Sequence, residues 1–328
     1  MNQPRLILAG GSGFLGQALA RHFQALGWEV AVLTRTPQAS HATREVRWDA
    51  ETLGEWTREL EGAAAVVNLT GRTVDCRYNE ANRRAILNSR VNSTRVLGEA
   101  IARCQNPPPV WLNASTATIY KHTYGPAWNE AGEIGATPEA KDEFSVQVAR
   151  AWEEVFAAAQ TPRTRKVAIR SAMVFGNGSN SVFPVLRRMT RLGLGGRMAS
   201  GRQFVSWIHE RDFCHAIEWI IAHDDFSGPV NLAAPNPLTN AEMMRLFRER
   251  YKMPFGLPAP EWLLEMGAFF LRTETELVIK SRRVVPGRLL ANGFQFQFPM
   301  LREVLADLDR APASTAAVHA RHAFFVMP

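Results

Sequence analysis

Short apolar runs recur through the first half of the chain, separated by stretches whose apolar positions repeat every three or four residues. The runs lie at 5–9 (RLILA), 29–34 (EVAVLT), 44–48 (REVRW), 64–69 (AAVVNL), 109–114 (PVWLNA) and 166–174 (KVAIRSAMV). Most of them lack the alternation of a half-exposed strand and suit strands covered on both faces. Between them, 14–26 and 80–103 read as amphipathic helices. In the second, Ile86, Val91, Leu97 and Ile101 keep helical spacing. Successive strand–helix units predict an α/β fold, a doubly wound parallel sheet of Rossmann type with right-handed crossovers.

After about residue 176 the rhythm changes. Residues 177–206 are rich in Gly, Arg and Met, a helical pattern comes next at 210–222, and then a strand-like one at 229–233. Thr239 with Glu242 three residues later reads as a capping box. Prolines at 254, 258 and 260 separate that helical pattern from the next one. The expected division is a Rossmann domain from 1–176 plus about 207–233, and a smaller interleaved lobe from 177–206 plus 234–310. Residues 311–328 lack periodicity and are expected to form a mobile tail.

The first strand runs into Gly10, Gly11, Ser12, Gly13, Phe14, Leu15 and Gly16, a G-x-x-G-x-x-G pattern that opens a helix. A tight turn there aims backbone N–H groups at a helix N-terminus, where a pyrophosphate binds. The second strand ends in Thr34 and Arg35 rather than in a carboxylate. An arginine attracts a ribose 2′-phosphate that a carboxylate would repel, so NADP(H) is preferred over NAD(H). Asp49, after the third strand, reads either as a contact to adenine or as a helix cap. Asn68, Leu69, Thr70 and Gly71 end the fourth strand, where the nicotinamide ribose would lie.

Composition changes this picture little. The chain has 328 residues, 46% hydrophobic and 21% charged, as in an ordinary globular protein. Its net charge of +7 is scattered rather than blocked, which argues against nucleic acid as the partner and suits an anionic small molecule. Cys76, Cys104 and Cys214 have no metal-like spacing, so a reduced cytoplasmic setting and no metal are expected. No run approaches the roughly 18 apolar residues of a membrane span.

The chain resembles an extended short-chain dehydrogenase/reductase through "GGSGFLG", "RVNSTRVLGEAI" and "NASTATIY". The segments "LGLGGRMASGRQFVSWIHERDFCHAI", "GPVNLAAPNPLTNAEMMR" and "SRRVVPGRLLANGFQFQFP" are similar to an atypical branch. That branch is labelled sugar-nucleotide epimerase-like and carries a C-terminal domain of unknown function. The resemblance implies a catalytic role for Asn92, at the recurrent asparagine, and for Thr116, at the hydroxyl position, with Ser115 beside it at the substrate. It also implies that two chains pair through long helices.

One departure is sharp. Where such enzymes carry Tyr-x-x-x-Lys, this sequence reads "DEFSVQVARAWEE", with Phe144 and Val148 in those places. Neither side chain carries a proton. Tyr120 and His209 are therefore candidate proton donors, and Arg202 and Trp207 candidate substrate contacts, by bidentate grip and ring stacking. The expected function is an NADP(H)-dependent oxidoreductase or epimerase with a noncanonical site, acting on a carbonyl, alcohol or sugar-nucleotide-like small molecule. The alternative is an NADP(H)-binding regulatory or scaffold protein without turnover.

Overall fold

Burial of alternate helices on both faces of one sheet organises the chain. The structure, a computed structural model, describes residues 3–38, 43–178, 181–265 and 276–310; the expected tail at 311–328 lies outside them. The strands are β1 (Arg5–Ala9), β2 (Glu29–Thr34), β3 (Arg44–Arg47), β4 (Ala65–Asn68), β5 (Val110–Thr116), β6 (Arg165–Ser171), β7 (Met173–Phe175), β8 (Phe204–Val205), β9 (Trp207–His209), β10 (Gly228–Leu232) and β11 (Leu238–Thr239). The helices that matter below are α1 (Phe14–Ala25), α2 (Glu80–Arg103), α3 (Glu143–Ala158), α4 (Val182–Met189), α5 (Glu210–Ala222) and α6 (Asn240–Arg250).

Seven strands form one parallel sheet in the order β10-β6-β5-β4-β1-β2-β3. The chain moves outward from β1 through β2 and β3, then returns to lay β4 on β1's other side. This reversal sets a topological switch point between β1 and β4, the place where open α/β sheets bind ligands. The inner strands are continuous apolar runs because both faces are covered: Leu6, Leu8 and Val67 pack with Leu19 and Phe23 of α1, while Ile7, Ala9 and Val66 pack with Val96 and Leu97 of α2.

The sequence's 166–174 run divides in two. β6 ends at Ser171, and β7 leaves to pair with β9, carrying the chain into a second apolar cluster. There Phe175, Phe183, Trp207, Met244, Phe247 and Leu305 pack together, joining α4, α6 and the helix Leu301–Arg310. Thr239 caps α6, its hydroxyl accepting from the Glu242 N–H at 3.3 Å. The reciprocal half of the box is not formed, since the Glu242 carboxylate accepts from Arg245 instead. Among the described residues no helix is long and apolar enough to cross a membrane.

Candidate active site

The glycine turn sits at the switch point. Gly10 has φ +71°, and its N–H donates to Leu33 O at 2.9 Å. A Cβ there would lie 2.7 Å from Thr70 Oγ1, so glycine is what lets the turns after β1 and β4 touch. At Gly16 a Cβ would enter the backbone of Gly11, which fixes how closely α1 approaches the strand. Gly13 is different. It caps α1 with no side-chain hydrogen bond, α1 carries no acidic residue in its first turn, and nothing lies within 4 Å of where a Cβ would stand. The helix's positive end therefore faces open space.

Around this turn the proposed cofactor residues divide. Ser12 is exposed, whereas the Leu15 and Leu69 side chains pack against the core beside α1. The Phe14 ring fills the space beside Gly176 and Gly178. Asn68 is fully buried: its Nδ2 donates to Asn113 Oδ1 at 2.7 Å, and its Oδ1 accepts from Thr70 N at 3.0 Å. It therefore shapes the Thr70–Gly71 turn from beneath. Thr70 Oγ1 is buried and has no hydrogen-bond partner among the described residues. Thr34 is buried under Thr36, and Arg35 stands exposed after β2 with no described residue paired to it. Asp49 caps no helix, since the next one, Glu55–Leu60, begins after Gly54; its carboxylate closes a local turn, accepting from Thr52 Oγ1 and from the backbone of Glu51 and Thr52, which holds it below the usual carboxylate range.

Beyond the switch point lies a cleft of about 430 Å³, partly open to solvent. Thr116 lines it, with its Oγ1 accepting from Thr118 N at 3.1 Å and its own O–H left to donate. Phe144 and Val148, in the places of the missing tyrosine and lysine, line it too. The Phe144 ring meets Tyr78 edge-on and lies under the guanidinium of Arg83 at 4.6 Å.

Five sequence-based candidates stand elsewhere. Tyr120 is 1% exposed; its hydroxyl donates to Asn231 Oδ1 and accepts from Arg170, both at 2.8 Å. Burial pushes this phenol above its usual range. Ser115, on the opposite face of β5 from Thr116, donates to Glu153, which pairs bidentately with Arg170. His209 is buried, caps α5 by accepting from Arg211 N, faces Asp307 at 3.2 Å and stacks on Phe298. Desolvation drives it down to about 4, so it is neutral at physiological pH. Trp207 belongs to the second apolar cluster and donates to Asn236 O. Arg202 is exposed, over the Tyr124 ring, and is not part of the cleft wall.

Helix phase corrects a further assignment. Asn92 is half-buried and does not line the cleft; Arg90, two residues earlier and so about 200° around the helix, does. Arg90 and Ile86 share the inward face of α2. The hydroxyls of Tyr78 and Ser145 in the cleft, and the acid behind them, had no counterpart among the sequence-based candidates. Tyr78 and Ser145 both donate to Oε1 of Glu276, a buried carboxylate raised by desolvation. Glu276 arrives from far along the chain. Nearby, Lys280 is fully buried, pairs with Asp142 at the start of α3, and donates to Thr118 O at 2.5 Å. Ser281 and Arg283 extend this attachment into the loop after β5, through Thr123 O and Gly125 O. One signal was available: a lysine directly after the apolar pair Val278–Ile279.

On the opposite surface of the sheet's helical layer, His22, His215 and Glu218 place ligand-type atoms within 4.8 Å of one another. Spacing along the sequence gave no sign of this. His22 Nε2 already meets Glu218 at 2.7 Å, and Gln297 engages His215.

A parallel sheet with a glycine turn at its switch point and a small cleft beyond it defines a dinucleotide-fold protein of the epimerase and dehydratase type. The chain belongs to the NAD dependent epimerase/dehydratase family, whose profile matches residues 6–233. A domain of unknown function (DUF1731) matches residues 259–308. The chain is 32% identical over 310 residues to epimerase family protein SDR39U1 of Bos taurus, covering 93% of this chain and 99% of that one. It is 27% identical over 305 residues to epimerase family protein YfhF of Bacillus subtilis (92% and 97% covered). The crystal structure of human epimerase family protein SDR39U1 with NADPH superposes with a TM-score of 0.81 at 27% identity, covering 93% of this chain and 99% of that one.

Proposed function

We propose that this chain is an NADP(H)-dependent oxidoreductase or epimerase-like enzyme acting on a small carbonyl or alcohol. The observation that carries this reading is the open space before Gly13, at an α1 N-terminus with neither a side-chain cap nor an acidic residue. These residues fit a dinucleotide: α1's free N–H groups suit its pyrophosphate and Arg35 a 2′-phosphate. The solved NADPH complex of a relative supports the same cofactor. When bound, the nicotinamide would supply hydride exchange.

The chain's own groups would manage the proton. Thr116 donates a hydrogen bond to the substrate oxygen. Burial favours the protonated form of Glu276, and the hydroxyls of Tyr78 and Ser145 connect it to the cleft. These groups take the place of Tyr120 and His209 as proton donors. Phe144 and Val148 favour the alternative, a protein that binds the dinucleotide without turnover.

Two measurements test the proposal. NADPH should bind more tightly than NADH, and Arg35→Asp should remove the difference. A charge-assisted contact of about 1.5–3 kcal/mol corresponds to roughly tenfold or more in Kd. Equal affinities in the parent would refute the cofactor assignment. NADPH oxidation against a panel of aldehydes and ketones should fall about a hundredfold in Tyr78→Phe and in Thr116→Val, with NADPH affinity unchanged. Activity that survives both substitutions would remove these residues from the mechanism. A parent that binds NADPH firmly and turns over nothing would establish the alternative.

A further inference from the structure

We propose that Arg90 anchors the substrate and that the cleft takes a small organic monocarboxylate, held by the Nε–H and Nη2–H edge of this guanidinium. The inference rests on the oxidoreductase reading and names its substrate class.

Arg90 is 3% exposed and lines the cleft. Its Nη1 donates to Arg72 O at 3.0 Å and to Ile86 O at 3.1 Å, which locks the plane of the group, and the guanidinium lies 5.0 Å from the Trp152 ring. Its Nε and Nη2 donate to no described residue. No carboxylate among the described residues lies within ion-pair reach of it. The nearby acids are engaged otherwise: Glu153 by Arg170 and Ser115, Glu276 by Ser145 and Tyr78. A buried cation without a counter-charge is costly and is normally paired. Here the missing partner is a ligand.

The geometry selects the ligand's class. Nε–H and Nη2–H are parallel donors at the spacing of a carboxylate's two oxygens. One guanidinium balances one negative charge. A phosphate monoester would bring more charge and more acceptors than the wall supplies. Val74, Ile86, Phe144 and Val148 give that wall an apolar part, which suits a hydrocarbon or ring body, beside the hydroxyls of Tyr78 and Thr116. The cradle is also built: a Cβ at Gly71 would stand 3.1 Å from Arg90 Cζ, so glycine there gives the guanidinium its room. Thr116 lines the same cleft, and its O–H is available to the substrate's oxygen.

The test uses the full chain with and without saturating NADPH, titrated calorimetrically with butanoate, 1-butanol and butyl phosphate. Butanoate should bind, with butanol and butyl phosphate at least about tenfold weaker. Arg90→Gln should lose about tenfold or more of butanoate affinity while its NADPH affinity stays at the parent value. If that variant does not fold, Arg90→Lys carries the test. It keeps the charge but loses the parallel pair, and should also bind butanoate more weakly than the parent. Butanol binding as well as butanoate, butyl phosphate binding more tightly, or an Arg90 variant binding butanoate like the parent would each overturn the proposal. Absence of NADPH binding in the parent would overturn the oxidoreductase reading instead, and the titration of the free chain would still judge Arg90.

Discussion

Gly13→Val yields a folded protein that no longer binds a dinucleotide. Gly13 has φ −80° and ψ 178°, an extended conformation open to any residue, and nothing lies within 4 Å of a Cβ placed there. The valine therefore costs the fold little, but its methyl groups occupy the space in front of α1's first N–H groups. NADPH affinity should fall by about a hundredfold or more, two tenfold steps in Kd, with an unchanged far-UV spectrum and Tm. Gly16→Val is the control, because there a side chain meets the backbone of Gly11. It should destabilise the chain by about 1–3 kcal/mol or more through overpacking. Tight NADPH binding by a folded Gly13→Val protein would mean that the turn holds something other than a pyrophosphate.

The second large effect concerns the C-terminal attachment. Asp142→Ala leaves Lys280 buried without its counter-charge, which costs about 3–5 kcal/mol for a fully buried pair. Asp142 also accepts from Thr137 N at 2.9 Å, so the turn leading into α3 loosens as well. A drop of several degrees in Tm is expected, with loss of turnover because Glu276 sits four residues before Lys280. Combining Asp142→Leu with Lys280→Met removes both charges and should recover most of the stability. An Asp142→Ala protein as stable as the parent, or a double variant no better than the single one, would show that the pair does not hold the segment.

Strand and helix positions were legible where local pattern and tertiary burial agree. The runs at 5–9 and 29–34 became β1 and β2 with the same bounds, and the helical repeat at 80–103 became α2. The glycine turn was legible because strand, turn and helix are consecutive. The cleft was not, for three physical reasons. A resemblance located Asn92 by its place in a motif, whereas the face of α2 turned toward the sheet belongs to Arg90. Tyr120 offered suitable chemistry, but the pairing of Glu153 with Arg170 had already claimed its surroundings, and only three-dimensional packing reveals that. Glu276 and Lys280 reach Ser145 and Asp142 across more than a hundred residues, a separation at which spacing says nothing.

The attachment of residues 276–283 gives the molecule a division of labour. The groups suited to a dinucleotide come from the turns after β1, β2 and β4 and owe nothing to the far end of the chain. The acid suited to a proton comes from a segment within the separately recognised C-terminal domain, while the cleft wall, with Arg90 and Thr116, comes from residues 74–152. Natural variation in that segment can therefore reset the acid behind Tyr78 and Ser145 and leave the cleft wall and the cofactor machinery intact. Within this architecture, chemical diversity and cofactor choice are free to evolve on separate schedules.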